Sequence, residues 1–220
     1  MYQRILFALL SALSATALLA AAPRLSGKPV GAEIQFVRSI QADLMKRFPT
    51  SADAEKAGYI RYTYEDSTGA ISYANRRWQS ADPQHPSQLW YDIKGNLLGA
   101  DFSVLQSSSA RAPHLWGVNP SRWITIPAHV HYLATDPQTN ETVYGGLRMK
   151  RFTAAGGDPA NPSADALVKT GVVKDVGAVK TVFLFPAIWD LIVWVKPNPN
   201  GAFAEKNPNV IPSNSAEKSM

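Results

Sequence analysis

The chain has 220 residues, and none of them is cysteine. This absence excludes thiol catalysis, cysteine–zinc sites, disulfide bonds and lipid attachment through a cysteine. Charged side chains are also sparse, at 18% of the residues, and the formal net charge is +5. The basic residues form no long cluster. Because nucleic-acid binding depends on a concentrated basic surface, the sequence argues against that function.

Long apolar runs are lacking except at the N-terminus, where residues 5–22 follow Arg4 and contain no charged side chain. A basic start, an apolar stretch and small residues such as Ala20 and Ala22 are typical of a secretory signal peptide. We therefore predict a signal peptide over residues 1–22, a periplasmic or secreted protein, and no stable membrane span after cleavage. An uncleaved anchor is the alternative, because Pro23 is a poor residue to follow a cleavage site.

The hydrophobic pattern changes from helical to strand spacing near residue 59. Apolar residues recur every three or four positions over residues 32–48, and a short second helix is predicted over residues 51–57. Alternating aromatic and β-branched residues then predict strands over residues 59–65, 71–78, 88–93, 97–104, 123–135, 141–151, 171–176, 179–185 and 188–195.

These elements predict an α+β fold that is mainly antiparallel β. The expected architecture is a β-sandwich or barrel of consecutive hairpins, preceded by the two N-terminal helices. One domain is predicted over residues 31–197. Residues 198–220 are rich in Pro, Asn, Ser and Lys, and we expect them to form a disordered tail.

Two histidines, His129 and His131, stand two positions apart in the predicted strand 123–135. Side chains at this spacing leave the same face of a strand, so both imidazoles can converge on one point. Imidazole nitrogens are common ligands of iron, copper and zinc, which require three or four ligands in total. The sequence therefore predicts a metal site at His129 and His131. The candidates for the remaining ligands are His114, Asp101, Glu141 and a tyrosine such as Tyr91. A pair of solvated histidines on an edge strand is the structural alternative.

A ligand pocket is predicted around the same histidines. Trp123 falls on their face of the strand by parity, and the return strand places Gly145 opposite His131, or Gly146 if the register slips by one residue. A glycine there leaves open space beside the imidazole. Loop aromatics such as Trp90 and Tyr91 are the other candidate ligand contacts, although aromatic residues at strand ends often fill the core instead.

The run Pro-Ala-His-Val-His-Tyr at residues 127–132 resembles the histidine strand of intradiol ring-cleavage dioxygenases. That resemblance implies a β-sandwich and a ferric iron held by His129 and His131 together with two tyrosines. It covers six residues. The arginine usual before the proline is Ile126 here, and no tyrosine pair stands upstream in a recognisable context.

Two acidic positions have open interpretations. Asp101 lies on a predicted hairpin strand facing that of Asp92, but Asp92 alternates with apolar neighbours and fits a solvated face better than a catalytic carboxylate pair. Asp190 is a lone acid inside an apolar run. If buried it would have a raised pKa, which is typical of functional sites, and a turn between two core strands is the alternative.

Three hypotheses about function follow. The favoured one is an exported β-rich protein that binds a metal ion or small ligand at the histidine strand. The second is a metal-dependent enzyme, such as an oxygenase, that uses the same pair with iron, copper or zinc, a third ligand and an open coordination position. The third is an assembly role for the N-terminal helix or for residues 183–195. The sequence leaves open whether the protein is an enzyme, and it indicates no oligomeric state.

Overall fold

The computed structural model describes residues 26–61, 63–75, 77–78, 81–106, 111–136, 140 and 142–213. The predicted signal peptide lies outside these ranges, as do residues 214–220. Over the described ranges the chain has a mixed α+β fold with antiparallel sheets and few helices. None of the helices in these ranges has both the length and the apolar character required to cross a bilayer.

Four α-helices and nine strands are described. The helices are α1 (Ala32–Arg47), α2 (Ser51–Lys56), α3 (Met149–Ala154) and α4 (Ala164–Thr170). The strands are β1 (Ile60–Arg61), β2 (Ile71–Ala74), β3 (Gln88–Tyr91), β4 (Leu97–Leu105), β5 (Ile124–Ile126), β6 (His129–Thr135), β7 (Thr142–Arg148), β8 (Val179–Phe185) and β9 (Ile188–Trp194). Short 3-10 turns occupy Pro120–Arg122 and Val176–Ala178.

The larger sheet has six antiparallel strands in the order β1-β2-β3-β4-β9-β5. Alternate side chains on one face are apolar, as the two-residue period of a strand requires, and they pack against helix α1. The buried residues of this core include Phe36, Val37, Ile40 and Leu44 from the helix, and Tyr73, Leu89, Tyr91, Phe102, Leu191 and Val193 from the strands. The predicted helical spacing of residues 32–48 therefore corresponds to a helix that covers one face of the sheet.

A buried ion pair fixes the start of α1. Arg122 Nη2 lies 3.0 Å from Glu33 Oε2, and both side chains are almost fully buried. Glu33 also accepts hydrogen bonds from the backbone N–H groups of Val30 and Asn119. Burial acts to raise the pKa of Glu33, but the hydrogen bonds from Arg122 and from the backbone outweigh it and leave the pKa below its ordinary value.

The smaller sheet has three antiparallel strands in the order β7-β6-β8. One face carries Val130 and Leu147, which pack against Phe152 of α3 and Leu167 of α4 in a second core. Both sheets end in edge strands, so neither of them closes into a barrel. The other face of the small sheet carries His129 and His131.

Two Pro-Ala links, which lie side by side, connect the two sheets. Pro127-Ala128 separates β5 from β6, and Pro186-Ala187 separates β8 from β9. Before the first link β5 pairs with β9 of the large sheet, and after it β6 pairs with β8 of the small sheet. Because proline has no backbone N–H to donate to a ladder, each link is a natural place for a strand to leave its sheet. The single strand predicted over residues 123–135 is therefore two strands in different sheets.

Two other segments differ from the sequence predictions. Residues 171–176, predicted as a strand, follow helix α4, which ends at Gly171 with a left-handed φ of 77°. Residues 198–213, assigned from composition to a disordered tail, lie against the large sheet. Trp194 Nε1 donates to the Ala204 carbonyl at 2.6 Å, and Ala202 and Val210 are buried. Their few apolar residues match apolar surface around Trp194, which composition alone does not reveal.

Candidate functional site

A cavity of about 140 Å³ lies at the corner where the two links run side by side. Residues of the large sheet and the chain beside it form one wall, namely Ala74, Ser87, Gln88, Ser103, Ile126 and Ile188. Residues of the small sheet form the other wall, namely His129, His131, Tyr144 and Phe185. Ile126, His129, Phe185 and Ile188 are the four residues that flank the Pro-Ala links, so the topology itself creates this cavity.

The two histidines predicted to converge do so. His131 Nε2 lies 2.7 Å from His129 Nε2, a hydrogen-bond distance. His129 Nδ1 lies 2.9 Å from the carbonyl oxygen of Pro127. A carbonyl oxygen only accepts hydrogen bonds, so Nδ1 of His129 carries a hydrogen and, in the neutral ring, its Nε2 is the acceptor. The hydrogen between the two rings therefore belongs to Nε2 of His131.

Aromatic side chains hold His131 in place. Its ring stacks on Tyr144 at a centroid distance of 4.6 Å and on Phe183 at 5.7 Å, and Phe185 lies 4.5 Å away. Only 4% of His131 is exposed. This burial, followed by the influence of His129, lowers the pKa of His131 to about 3, although a backbone hydrogen bond at Gly145 acts in the opposite direction. His131 is therefore neutral at physiological pH.

A chain of hydroxyl groups lies on the opposite wall. Ser87 Oγ is 2.7 Å from Ser103 Oγ, and Ser103 Oγ donates to Asp190 Oδ1 at 2.8 Å. Ser87 Oγ also lies 3.1 Å from the carbonyl oxygen of Asp101, and it accepts from the backbone N–H of Ser103 at 3.2 Å. These hydroxyl groups connect the cavity to the buried carboxyl group of Asp190 within the sheet.

Two buried carboxyl groups, Asp101 and Asp190, interact beneath this wall. Strands β4 and β9 are neighbours, and Asp190 pairs with Ser103, two residues beyond Asp101. Trp90 Nε1 donates to Asp101 Oδ2 at 3.1 Å. Burial, together with the nearby Asp190, raises the pKa of Asp101 well above its usual range. Burial also raises the pKa of Asp190 to about 6, against the effect of the hydrogen bonds from Ser103 and Asp101.

A larger groove of about 540 Å³ lies next to the internal cavity and shares Ile126 and His129 with it. Pro127, Leu147 and Met149 contribute to its apolar lining, while Arg148 and Lys150 are exposed on its rim. His129 therefore separates an open groove from the enclosed cavity, and this groove is the route by which a ligand would reach the histidine pair.

The structure does not bring His114 to the histidine pair. His114 lines a different cavity, together with Glu33, Val118 and Pro120. Across the part of the chain that the structure describes, no group of three or more His, Cys, Asp or Glu side chains is arranged to hold a metal ion. His114, which the sequence offers as a third ligand, is therefore not part of the histidine site.

The predicted aromatic contacts lie in the cores. Trp123 is 4% exposed and packs on Trp116 at a centroid distance of 5.5 Å, within the core beneath α1. Tyr91 is fully buried and donates to the Phe48 carbonyl at 3.1 Å. Trp90 packs on Trp194 at 5.3 Å, and its contact with the site is indirect, through Asp101.

The register of β6 and β7 follows the slipped alternative. His131 pairs with Gly146, and Gly145 pairs with Tyr132 on the face away from the cavity. A Cβ atom added at Gly145 would lie 2.2 Å from Cζ of Tyr132. Gly145 is therefore required for the packing of Tyr132, and it approaches His131 through its backbone alone.

Sequence reasoning missed the polar residues that complete the site. Ser87, Ser103 and Tyr144 carry no motif, and no sequence pattern indicates that Asp101 lies next to Asp190. One usable signal was present, because Pro-Ala occurs both before His129 and before Ile188. Two such links in adjacent strands mark the corner where the cavity forms.

No protein-family model matches the chain, and no curated protein or solved structure is significantly similar to it. The resemblance at residues 127–132 is therefore limited to that strand. Function has to be inferred from the chemistry of the cavity, because a fold alone does not identify an activity.

Proposed function

We propose that this chain is an exported binding protein that takes a metal ion or small ligand in the cavity between its sheets, which pack as a β-sandwich. The observation that carries the proposal is the 2.7 Å separation of the His129 and His131 Nε2 atoms at the cavity wall. The two Pro-Ala links support the sandwich, because strands that pass from one sheet to the other form its corner.

The size of the cavity limits what it can hold. Pockets for drug-sized molecules have volumes of roughly 300–1,000 Å³, against about 140 Å³ here. A water molecule occupies about 30 Å³ in the liquid. The internal cavity therefore suits an ion with a few bound waters, or a molecule of a few heavy atoms. A longer ligand would extend past His129 into the outer groove.

A metal ion between the two Nε2 atoms would require the hydrogen of His131 to move from Nε2 to Nδ1, so that both Nε2 lone pairs face the ion. The contact of His129 Nδ1 with the Pro127 carbonyl is the type of outer contact that orients a metal-binding histidine. Zinc–nitrogen bonds are about 2.0–2.1 Å long, so two nitrogens on one tetrahedral ion lie about 3.3–3.4 Å apart. The two Nε2 atoms, now 2.7 Å apart, would therefore have to separate by roughly 0.6 Å. Water or ligand atoms would complete the coordination.

The same arrangement supports the second candidate, a metal-dependent enzyme such as an oxygenase. The specific observation in its favour is that two protein ligands leave several coordination positions open, as a catalytic metal requires. Substrate would then approach through the outer groove. The absence of a third ligand among the described His, Cys, Asp and Glu residues favours binding over catalysis.

The test is elemental analysis and ligand titration of the mature protein, comparing wild type with the His129→Ala/His131→Ala variant. His114→Ala is the matched control, because His114 lines a different cavity. We expect about one equivalent of iron, copper or zinc in the wild type and in the control, and none in the double variant. Circular dichroism would verify that each variant is folded.

Two results would decide between or against these candidates. Turnover of an added substrate by the metal-loaded protein, lost with the histidine pair, would favour the enzyme. If the wild type and the folded double variant bind the same metals and small molecules equally, the pair is not a binding site and the proposal fails.

A further inference from the structure

We infer that the cavity selects a cation, and that the Asp101–Asp190 pair supplies the negative charge that balances it through Ser103. This inference rests on the proposed function of the same cavity and names the class of ligand. It follows from the direction of the hydrogen bonds in both walls of the cavity and from the carboxyl groups buried behind the wall that contains Ser103.

The hydroxyl wall presents lone pairs to the cavity. Ser103 Oγ has one hydrogen, which it donates to Asp190 Oδ1. The hydrogen of Ser87 Oγ is directed either to Ser103 Oγ or to the carbonyl oxygen of Asp101, both within the sheet. Neither hydroxyl has a further hydrogen to donate, so each can only accept a hydrogen bond from a ligand or coordinate an ion.

The two histidines also have no hydrogen that points into the cavity. The Nδ1 hydrogen of His129 is held by the Pro127 carbonyl, and the Nε2 hydrogen of His131 lies between the rings. Gln88 and Tyr144 are the remaining polar groups of the lining, and each can donate or accept. An oxyanion needs several donors around it, whereas the two serines and the two histidines offer the cavity none and Gln88 and Tyr144 can equally act as acceptors.

The buried carboxyl pair adds a net negative charge. Burial raises the pKa of Asp190 to about 6, so this carboxyl is mainly ionised at pH 7.5, and burial together with Asp190 raises the pKa of Asp101 well above its usual range. Among the described residues neither carboxyl forms an ion pair with Lys, Arg or His. A charge in the low-dielectric interior is weakly screened, and Ser103 connects Asp190 to the cavity.

The basic residues nearby reduce the attraction of the buried carboxylate for a cation only slightly. Arg148 and Lys150 lie on the rim of the outer groove and are exposed to solvent. Charges in solvent are screened over about 8–10 Å at physiological salt. An ion that has passed His129 is therefore influenced mainly by the acceptor walls and the buried carboxylate.

The experiment titrates folded protein at pH 7.5 with three probes: zinc ion, methylammonium, and the oxyanions sulfate and acetate. We expect a cation to bind in the wild type and the oxyanions not to bind. Zinc binding would identify a metal site, whereas methylammonium binding without zinc binding would identify a site for organic cations. Binding of the oxyanions without either cation would overturn the inference while leaving a ligand pocket in place.

A second comparison tests the source of the charge. In the Asp101→Asn/Asp190→Asn variant both carboxylates become neutral isosteres, and we expect cation affinity to fall at least about tenfold, the scale of close charge pairs in low dielectric. Asp101→Asn alone should reduce affinity less, because Asp190 keeps its charge. Asp92→Asn is the control, since Asp92 caps the exposed turn at Lys94 and Asn96.

The outcomes separate this inference from the proposed function. If the double Asn variant is folded and binds zinc as tightly as the wild type, the carboxyl pair is not the counter-charge, yet the histidine site stands. If no probe binds to wild type, both proposals fail. Should the double Asn variant unfold, the comparison of cations with oxyanions in the wild type still decides whether the cavity selects a cation.

Discussion

The two faces of the six-stranded sheet are built from the same strands and differ in the side chains that they bury. The face against helix α1 is filled by apolar side chains such as Phe102, Leu191 and Val193. The opposite face buries apolar Trp90 and Trp194, and it also buries the polar side chains Asp101, Ser103 and Asp190. Each buried apolar side chain stabilises the fold by about 1.5–3 kcal/mol, whereas buried polar groups contribute little net stability and have a high cost if left unpaired.

This difference between the two faces indicates that they have different roles. The α1 face supplies stability, and the opposite face keeps polar groups that a purely structural core would have replaced. The acids illustrate this difference. Glu33 on the α1 side has Arg122 as a partner and a lowered pKa, whereas Asp190 has no cation partner among the described residues and a raised pKa. A buried acid without a counter-ion is characteristic of a functional site.

The largest expected effect is on the apolar face. Phe102 is 1% exposed and packs against Phe36 and Trp116. Phe102→Ala should lower the free energy of unfolding by about 3–5 kcal/mol, because it removes a large side chain from a packed core. Urea unfolding would measure this, with Leu105→Ala as control, since Leu105 is 57% exposed on the same strand. A loss below about 1 kcal/mol would show that the α1 face is not the main source of stability.

The next effect concerns the pH dependence of stability on the polar face. The folded-state pKa of Asp190, about 6, lies above its ordinary value of 3.8. The stability contribution of this group is therefore complete below about pH 4 and is lost as the pH rises through 6. Relative to Asp101→Asn/Asp190→Asn, the wild type should gain at least about 2 kcal/mol as the pH falls from about 7 to 4, because the raised pKa of Asp101 acts in the same direction as that of Asp190.

The wild type alone would not show this trend clearly, because His131 acts in the opposite direction. Its pKa is lowered to about 3, so its contribution is complete above the ordinary value of 6.5 and is lost as the pH falls toward 3. The His131→Gln variant should remove that opposing change. Urea unfolding at a series of pH values measures each difference, and a wild type that gains nothing over the double Asn variant at low pH would contradict buried, unpaired carboxyls.

The smallest expected effect is at the hydroxyl next to Phe102 in sequence. Ser103→Ala removes the donor to Asp190 Oδ1 and should cost about 1–2 kcal/mol. Because that hydrogen bond lowers the pKa of Asp190, the variant should raise this pKa further, which carboxyl NMR titration would detect. Ser121→Ala, at an exposed position, is the control. An unchanged Asp190 titration would mean that Ser103 does not link the acid to the cavity.

The sequence was most informative where local periodicity determines the structure. The strands predicted over residues 179–185 and 188–195 correspond closely to β8 and β9, and the parity of His129 and His131 placed both imidazoles on one face. The helical spacing of residues 32–48 identified α1, because the apolar stripe of a helix and its partner surface are both local consequences of the pattern.

The sequence was least informative where distant strands or a change of sheet determine position. Trp123 shares parity with the histidines, but Pro127-Ala128 transfers the chain to another sheet and places Trp123 in a different core. Asp101 and Asp190 meet only because β4 and β9 are neighbours. No local pattern specifies such a pairing, so the sequence alone predicts neither the acid pair nor the chain of hydroxyl groups.

The paired Pro-Ala links also determine how the cavity responds to a ligand. Ile126 and Ile188 pair in one sheet and, with two residues between on each strand, His129 and Phe185 pair in the other. The walls are thus joined by two short covalent links, which limit how far they can separate at this corner. We therefore expect the corner to be largely preformed before a ligand arrives, so that little conformational entropy is lost on association and affinity is gained without any additional contact. Free and occupied forms should accordingly have nearly the same backbone, and occupancy should be read from side-chain signals at the corner.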